Sequence, residues 1–537
     1  MRVAPLLAAL VGAAACVQAL PTAAGPAPPA GPAPPAAPSG SAPTPPAKPS
    51  AAAPAAPAGA PPAPGAAPPA PGAGKQKSPS DYAVASKVPG IPFELGPSYA
   101  GYVPIGPAAN QRDLFFWQFP AAEGVGHDDL VIWLNGGPGC SSMEGLLQEN
   151  GPALFPWNST DVVKNPWSWT KLGNVMWVDQ PVGTGFARGN RTAKTQEDVA
   201  ADFAAFLVNY FAIFKEMQGK KLWLTGESYA GKYIPYMASH IYAHPELKAA
   251  GVNLQGIAIN DPSWAADLAL EDLPAYSFAK ANRDVLHLDD AFFATLEAKL
   301  EKARIKTFLE DNLKYPPKGL ILPPREYNET DFSPWNDVYN AAYDKNQCFN
   351  VYDVSKAYSS CPSVTDPLGF PPDASDPSPR NIFNDIQGLK DAIHVDPSHT
   401  WLECTASDAP VFPDGDSSPA PIESGLMRRV IELAPSGRTL VQHGMRDFIL
   451  LAQGSALAIQ NMTWHGKQGF QTKPTRALLT VNGTDAGIVH TERGLTFAQV
   501  TNSGHMIPQD DPPVAYKLLK YLLGQISEQA LSQHVAV

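Results

Sequence analysis

The chain is short of positive charge, of cysteine and of long apolar runs, and each shortage narrows what it does. Lys and Arg number 39 against 51 Asp and Glu, a formal charge of -12. That balance provides no electrostatic footprint for nucleic acid or an anionic membrane. Beyond the N-terminal leader, no stretch reaches the roughly 18 uninterrupted apolar residues of a membrane span. There is no GxGxxG or Walker-type loop, no Cys/His cluster at metal-ligand spacing and no internal repeat, so no metal or organic cofactor is expected. From Pro21 to Pro79 not one Leu, Ile, Val or aromatic residue occurs, whereas 21 of the 58 prolines do. Such a stretch buries too little apolar surface to offset its ordering entropy, which predicts a disordered, extended segment.

What is present begins with a leader. Arg2 is followed by an apolar run from Val3 to Ala15 and then by small residues, the pattern of a secretory signal peptide cleaved near Ala19 or Leu20. The organisation expected is therefore a leader over 1–20, a Pro/Ala-rich spacer over 21–80 and a folded domain over 81–537. Cys16 leaves with the leader. The remaining Cys140, Cys348, Cys361 and Cys404 predict two disulfides in one of three connectivities. N-x-S/T sequons at Asn158, Asn190, Asn328, Asn461 and Asn482 fit the same secretory route.

Tyr99–Pro104 and Leu114–Phe119 read as an opening antiparallel meander. Apolar runs of strand length follow at Leu130–Leu134, Val175–Val178, Leu222–Leu224 and Ile257–Ile259. Between the second and third, Val199, Phe203, Phe206, Leu207, Tyr210 and Phe214 recur at helical spacing. Strands alternating with helices predict an α/β fold with a mostly parallel sheet covered on both faces. After Asn260-Asp261-Pro262 the pattern breaks. Residues from about 265 to 425, with a helix over Ala291–Leu309, read as an insertion over the sheet. Strands return at Thr439–Gln442 and Leu495–Val500, and Pro513–Leu523 reads as a closing helix, basic at Lys517 and Lys520.

Leu222 to Gly231, LWLTGESYAG, is an apolar strand turned sharply toward a helix, the layout that lifts a nucleophilic serine above a sheet. The turn departs from G-x-S-x-G at Ala230. A serine nucleophile needs a base and a group to orient it. His505, in the turn after Leu495–Val500, and Asp447, in the turn after Thr439–Gln442, follow strands at the sheet edge where such sites gather. His443 competes for the base but lies within its strand; Asp179 and Asp385 compete for the acid but end no late strand. Asn135-Gly136-Gly137-Pro138-Gly139, after Leu130–Leu134, is a loop whose glycines let backbone N–H groups approach an oxyanion.

Together, WLNGGPGCSS (133–142), DQPVGTGF (179–186), GESYAGKYIP (226–235), the Asp447 turn and GHMIP (504–508) resemble the serine carboxypeptidase family, over essentially the whole folded part. Ile507 stands where Val is common, and Ala230 is the family's own residue. The resemblance implies an alpha/beta-hydrolase fold with an inserted cap. It implies Ser228 as nucleophile, His505 as base and Asp447 as its orienting acid, with the N–H groups of Gly137 and Tyr229 as oxyanion hole. Asn135, Gly136, Glu149 and Glu227 would hold the substrate's C-terminal carboxylate, and Met506 would line an apolar pocket. It pairs Cys140 with Cys404, which leaves Cys348 with Cys361. The function implied is release of C-terminal residues from peptides and proteins at acidic pH, without cofactor, by an enzyme that is secreted (extracellular) or vacuolar. An acyltransferase, esterase or hydroxynitrile lyase on the same scaffold is the alternative, and a non-catalytic relative is a third.

Overall fold

Strands whose residues are buried on both faces set the architecture. The computed structural model describes residues 77–106, 111–156, 159, 161–328, 331–356, 368, 381–406 and 408–535. The leader, nearly all of the Pro/Ala-rich segment, Asn158 and Cys361 lie outside the described residues. One sheet contains eleven strands. They are β1 (Ala83–Val84), β2 (Ser98–Pro104), β3 (Asp113–Phe119), β4 (Asp129–Leu134), β5 (Asn174–Asp179) and β6 (Lys221–Glu227), then β7 (Leu254–Asn260), β8 (Thr439–Gly444), β9 (Arg476–Leu479), β10 (Asp485–Glu492) and β11 (Leu495–Val500). Their order in space is β1-β2-β3-β5-β4-β6-β7-β8-β11-β10-β9. From β5 through β4, β6, β7 and β8 to β11 every pair is parallel. The strands on either flank are antiparallel.

The helices of eight residues or more are α1 (Gln196–Ile213), α2 (Ala230–Ala243), α3 (Leu273–Ala281), α4 (Asp290–Lys302), α5 (Pro334–Lys345), α6 (Leu426–Leu433), α7 (Ala452–Asn461) and α8 (Pro512–Leu522). Alternate residues of each central strand serve opposite layers. Leu130 and Ile132 of β4 and Leu224 of β6 pack with Phe203 and Phe206 of α1 and Ile234 of α2. Val131, Trp133 and Trp223 face the other way, toward Val514, Leu518 and Leu522 of α8. Helix α1 opens on a reciprocal cap: Thr195 Oγ1 accepts from the Asp198 N–H at 3.1 Å, and Asp198 Oδ2 accepts from the Thr195 N–H at 3.0 Å. This is the layout of an alpha/beta-hydrolase.

The described residues between 265 and 425 contain no strand. Phe278, Phe293, Leu296, Trp335 and Val338 give this insertion its own core, which includes Phe448 from the main body. The single helix expected over Ala291–Leu309 is instead two pieces. α4 ends at Lys302, Arg304 adopts φ +57, and a short helix resumes at Phe308–Asn312. Lys517, one of the two basic positions of the closing helix, does not lie on its outer face. Its ammonium is buried and donates to the carbonyls of Leu479 (2.8 Å), Thr480 (3.3 Å), Leu531 (3.1 Å) and Gln533 (2.6 Å). These carbonyls lie at the end of β9, in the turn after it and in the C-terminal turn, where one ammonium satisfies several acceptors. Burial pushes it down to about 8.

Candidate active site

The carboxyl ends of β6, β7, β8 and β11 lie side by side, and each delivers a polar residue to the same edge. Ser228 follows β6 with φ +59, half-buried, its N–H donating to the Asn260 carbonyl at 3.0 Å. A non-glycine residue held there is the signature of a strained strand-to-helix turn. Small neighbours are required by what surrounds the turn. A Cβ on Gly226 would come 2.2 Å from the Leu134 carbonyl oxygen and 2.9 Å from the Ala230 Cβ. The crowding therefore falls at Gly226, and a methyl at Ala230 is accommodated.

The turn after β8 brings Asp447 against His505, from the turn after β11: His505 Nδ1 donates to Asp447 Oδ2 at 2.7 Å. The other Asp447 oxygen accepts from the N–H groups of Ile449 (2.8 Å) and Leu450 (3.2 Å). Both residues are buried. The insertion braces both turns through one short segment. The Val351 carbonyl accepts from Phe448 N–H at 2.9 Å, the Tyr352 carbonyl from His505 N–H at 2.7 Å, and Val354 N–H donates to the Arg446 carbonyl at 3.1 Å.

The competitors are otherwise engaged. Fully buried in β8, His443 bonds Leu450 O through Nε2 at 2.7 Å and Ser455 Oγ through Nδ1 at 3.0 Å. Burial pushes it down to about 4. Asp179 accepts from Ser141 Oγ (2.7 Å), Ser142 N–H (2.9 Å) and Phe186 N–H (2.8 Å), which fixes the loop after β4. Asp385 lies exposed in a short helix.

That loop meets the nucleophile turn. A Cβ on Gly136 would lie 2.5 Å from Tyr229 N and 2.7 Å from Ser228 Cβ. Gly137, next to it, takes φ +104, a conformation suited to glycine. The insertion holds the loop from its other side. Cys140 is disulfide-bonded to Cys404, Ser141 N–H donates to Glu403 O at 2.6 Å, and Thr405 N–H donates to Gly139 O at 3.0 Å. The partner expected for Cys348 lies outside the described residues. Tyr229 is anchored by its hydroxyl, which donates to Asp416 Oδ2 at 2.6 Å.

Asn135 is the centre of a carboxyl cluster. Its Oδ1 accepts from Trp133 Nε1 at 2.7 Å and from Gly145 N–H at 3.2 Å, which fixes the amide so that Nδ2 faces outward. Nδ2 then donates to Glu227 Oε1 (3.0 Å), Glu144 Oε2 (3.2 Å) and Glu149 Oε1 (3.4 Å). Oε2 of both Glu149 and Glu227 is buried and has no N–H or hydroxyl donor among the described residues. Burial pushes Glu149 up to about 8. Burial, then the neighbouring Glu149 and Glu144, holds Glu227 well above the carboxylate range. Two carboxyls so placed keep protons, which gives the cluster hydrogen-bond donors of a kind that suits an anion.

Two residues escape a reading of motifs. Glu144, in the run between the glycine loop and Glu149, becomes visible only as the third acceptor on Asn135. Asp261, directly after β7, is fully buried, and Asp261, Asp447 and His505 offer ligand atoms that all lie within 4.8 Å of one another. Met506 follows His505 and is mostly buried before the short helix Ile507–Asp510.

Comparison with known proteins gives the family and the fold. The family model described as serine carboxypeptidase matches residues 89–525. A probable serine carboxypeptidase of Arthroderma benhamiae is 38% identical over 474 residues, covering 83% of this chain and 87% of its own. Serine-type carboxypeptidase F of Aspergillus niger is 39% identical over 475 residues, with 83% and 87% covered. Among solved structures, the Kex1 prohormone-processing carboxypeptidase of Saccharomyces cerevisiae superposes with a TM-score of 0.65. It shares 26% identity and covers 84% of this chain and 97% of that one.

Proposed function

The chain belongs to the serine carboxypeptidase family, and from that premise we propose that Ser228, His505 and Asp447 carry its reaction at the C-termini of peptides and proteins. Ser228 Oγ attacks the carbonyl carbon of the last peptide bond while His505 takes its proton. Asp447 holds the ring and stabilises the imidazolium. The oxyanion forms opposite the N–H groups of Gly137 and Tyr229. His505 then protonates the leaving amine, the terminal residue departs, and water releases the acyl group from Ser228 by the reverse proton path.

One relationship carries the restriction to chain ends. Glu227, bonded to Asn135 and facing Glu149, is the residue immediately before Ser228. A substrate carboxylate held by Asn135, the Gly136 N–H and this carboxyl pair places its own last peptide bond at the serine. The pair must be protonated to donate, which favours acidic to neutral media. Met506, beside His505, lines an apolar pocket next to the scissile bond. The Cys140–Cys404 disulfide supports passage through the oxidising secretory pathway, to an extracellular or vacuolar destination. No described helix is long and apolar enough to cross a membrane.

The test is product analysis on an N-blocked dipeptide and its C-terminal amide. The free acid is expected to lose its last residue and the amide to resist. A serine-directed fluorophosphonate is expected to label the protein and to fail on Ser228→Ala. Equal turnover of acid and amide rejects the carboxylate assignment, and labelling that survives Ser228→Ala rejects the nucleophile.

A further inference from the structure

Asp261 is a buried carboxyl that the reaction above does not use. It follows β7 with φ +43, and its own N–H donates to the Gln442 carbonyl at 2.8 Å. Oδ1 accepts from the Gly444 N–H at 2.8 Å, at the start of the turn that presents Asp447. Oδ2 is buried with no donor among the described residues. A buried carboxylate oxygen lacking a donor is costly; the same oxygen bearing a proton is a donor in search of an acceptor.

The acceptor is adjacent. Asp261 belongs to the group with Asp447 and His505 whose ligand atoms lie within 4.8 Å of one another. Among the described residues, no Lys or Arg forms an ion pair with Asp261 or Asp447; only His443 and His505 do. His443 Nε2 lies 3.5 Å from Asp261 Oδ1 and 3.7 Å from Asp447 Oδ2, but its N–H is spent on the Leu450 carbonyl and burial keeps the ring neutral down to about 4. Asp510, the next acid around Asp261, is itself paired with Lys356. Burial, then Asp447, then Asp510 raises Asp261 well above the carboxylate range. Two carboxyls buried side by side do not both ionise cheaply.

We propose that Asp261 is a positioning residue of the triad: its protonated carboxyl donates a hydrogen bond to Asp447, in addition to the bond that Asp447 accepts from His505. This rests on the triad reading above. The bond fixes Asp447 between donors from two turns. It also draws off part of the negative charge that Asp447 offers to an imidazolium. His505 is thereby released more readily to act as a base in acidic medium, where a peptidase of this class needs an unprotonated base.

Asp261→Gly and Asp261→Asn both tolerate the left-handed backbone, and they differ in whether a donor to Asp447 remains. The readout is the pH profile of inactivation by a fluorophosphonate, a probe without a carboxylate and so independent of Glu149 and Glu227. In Asp261→Gly the acidic limb is expected to move up by about one pH unit. In Asp261→Asn the amide N–H is expected to hold the limb at the parent position. An unmoved limb in Asp261→Gly, or a limb that moves equally in both, overturns the proposal. Loss of labelling in Ser228→Ala, scored in parallel, keeps the triad reading separate from this result. Should Asp261→Gly not fold, infrared difference spectra of the parent against Asp261→Asn at neutral pH decide. A protonated-carboxyl band lost in Asp261→Asn supports the assignment, and no such band overturns it.

Discussion

Asn135 Nδ2 and Glu227 Oε1 meet at 3.0 Å across 92 residues of chain, and the residue after Glu227 is Ser228. In the proposed reaction, the group that holds the end of a substrate and the group that attacks it are therefore consecutive on one strand-to-turn junction. Replacing Glu227 with Ala is expected to raise KM for peptides with a free C-terminus about 10- to 100-fold, the worth of one hydrogen bond to a charged group, roughly 1.5–3 kcal/mol. Hydrolysis of an ester that lacks a carboxylate is expected to change far less. Steady-state kinetics on the two substrates check this, and an equal loss on both rejects the assignment.

The same pair gives KM a pH dependence of known sign. Burial raises Glu149 to about 8 and, with the neighbouring Glu149 and Glu144, holds Glu227 well above the carboxylate range. The protonated, donating forms persist through the acidic and neutral range and are lost as pH rises through about 8. KM for a blocked dipeptide is expected to climb across that interval, with little change for its methyl ester. A KM that is flat from pH 5 to 9 contradicts the shared-proton account.

Gly136→Ala tests the contact between the glycine loop and the nucleophile turn. The added methyl would sit 2.5 Å from Tyr229 N, against rigid backbone on both sides. One of the two surfaces must shift, and an oxyanion donor shifts with it. Loss of one such donor costs about 100- to 1000-fold in kcat. Folding is expected to survive, as read by circular dichroism, while kcat falls at least 100-fold.

Stability is also expected to fall as pH rises. Asp179, raised to about 6, and Glu149, raised to about 8, are held neutral by burial, whereas the unfolded chain ionises carboxyls near 4. Between those values the unfolded state binds fewer protons than the folded one, so unfolding becomes easier with each pH unit. The contribution of Asp179 is complete by about pH 6 and that of Glu149 by about pH 8. Calorimetry from pH 4.5 to 8 is expected to show a declining Tm, with a shallower slope in Glu149→Gln. A rising Tm over the same range refutes it.

Of the sequons, Asn461 stands apart. Its Oδ1 accepts from Ile321 N–H at 2.9 Å and its Nδ2 donates to Ile321 O at 3.0 Å, a two-point pair that a glycan on Nδ2 disrupts. Asn190 and Asn482 are exposed. Glycopeptide mapping of the protein from a eukaryotic secretory host is expected to find Asn461 the least occupied of the three.

Much of this was legible because it is local. Apolar runs such as Leu130–Leu134 became central strands, and the turns bearing Ser228, Asp447 and His505 announce themselves by glycine and by position. His443 was separated from His505 by lying inside a strand rather than after one. What escaped depends on distant register. Asp261 reaches the turn of Asp447 because β7 pairs with β8, strands separated in sequence by the insertion. Lys517 reads in sequence only as a basic position of the closing helix, but the chain end folds back over it and makes it an internal clamp. The break at Arg304 has no Gly or Pro to mark it.

The order in which the chain is made bears on the site. Serine, glycine loop and carboxyl pair are all translated by residue 228, but β11 is the last of the parallel strands in sequence, and only the turn after it brings His505 to Asp447. A chain ended before residue 505 contains Ser228, the glycine loop and the carboxyl pair but lacks His505. On the proposed reaction, its base is therefore the last part of the site to be made.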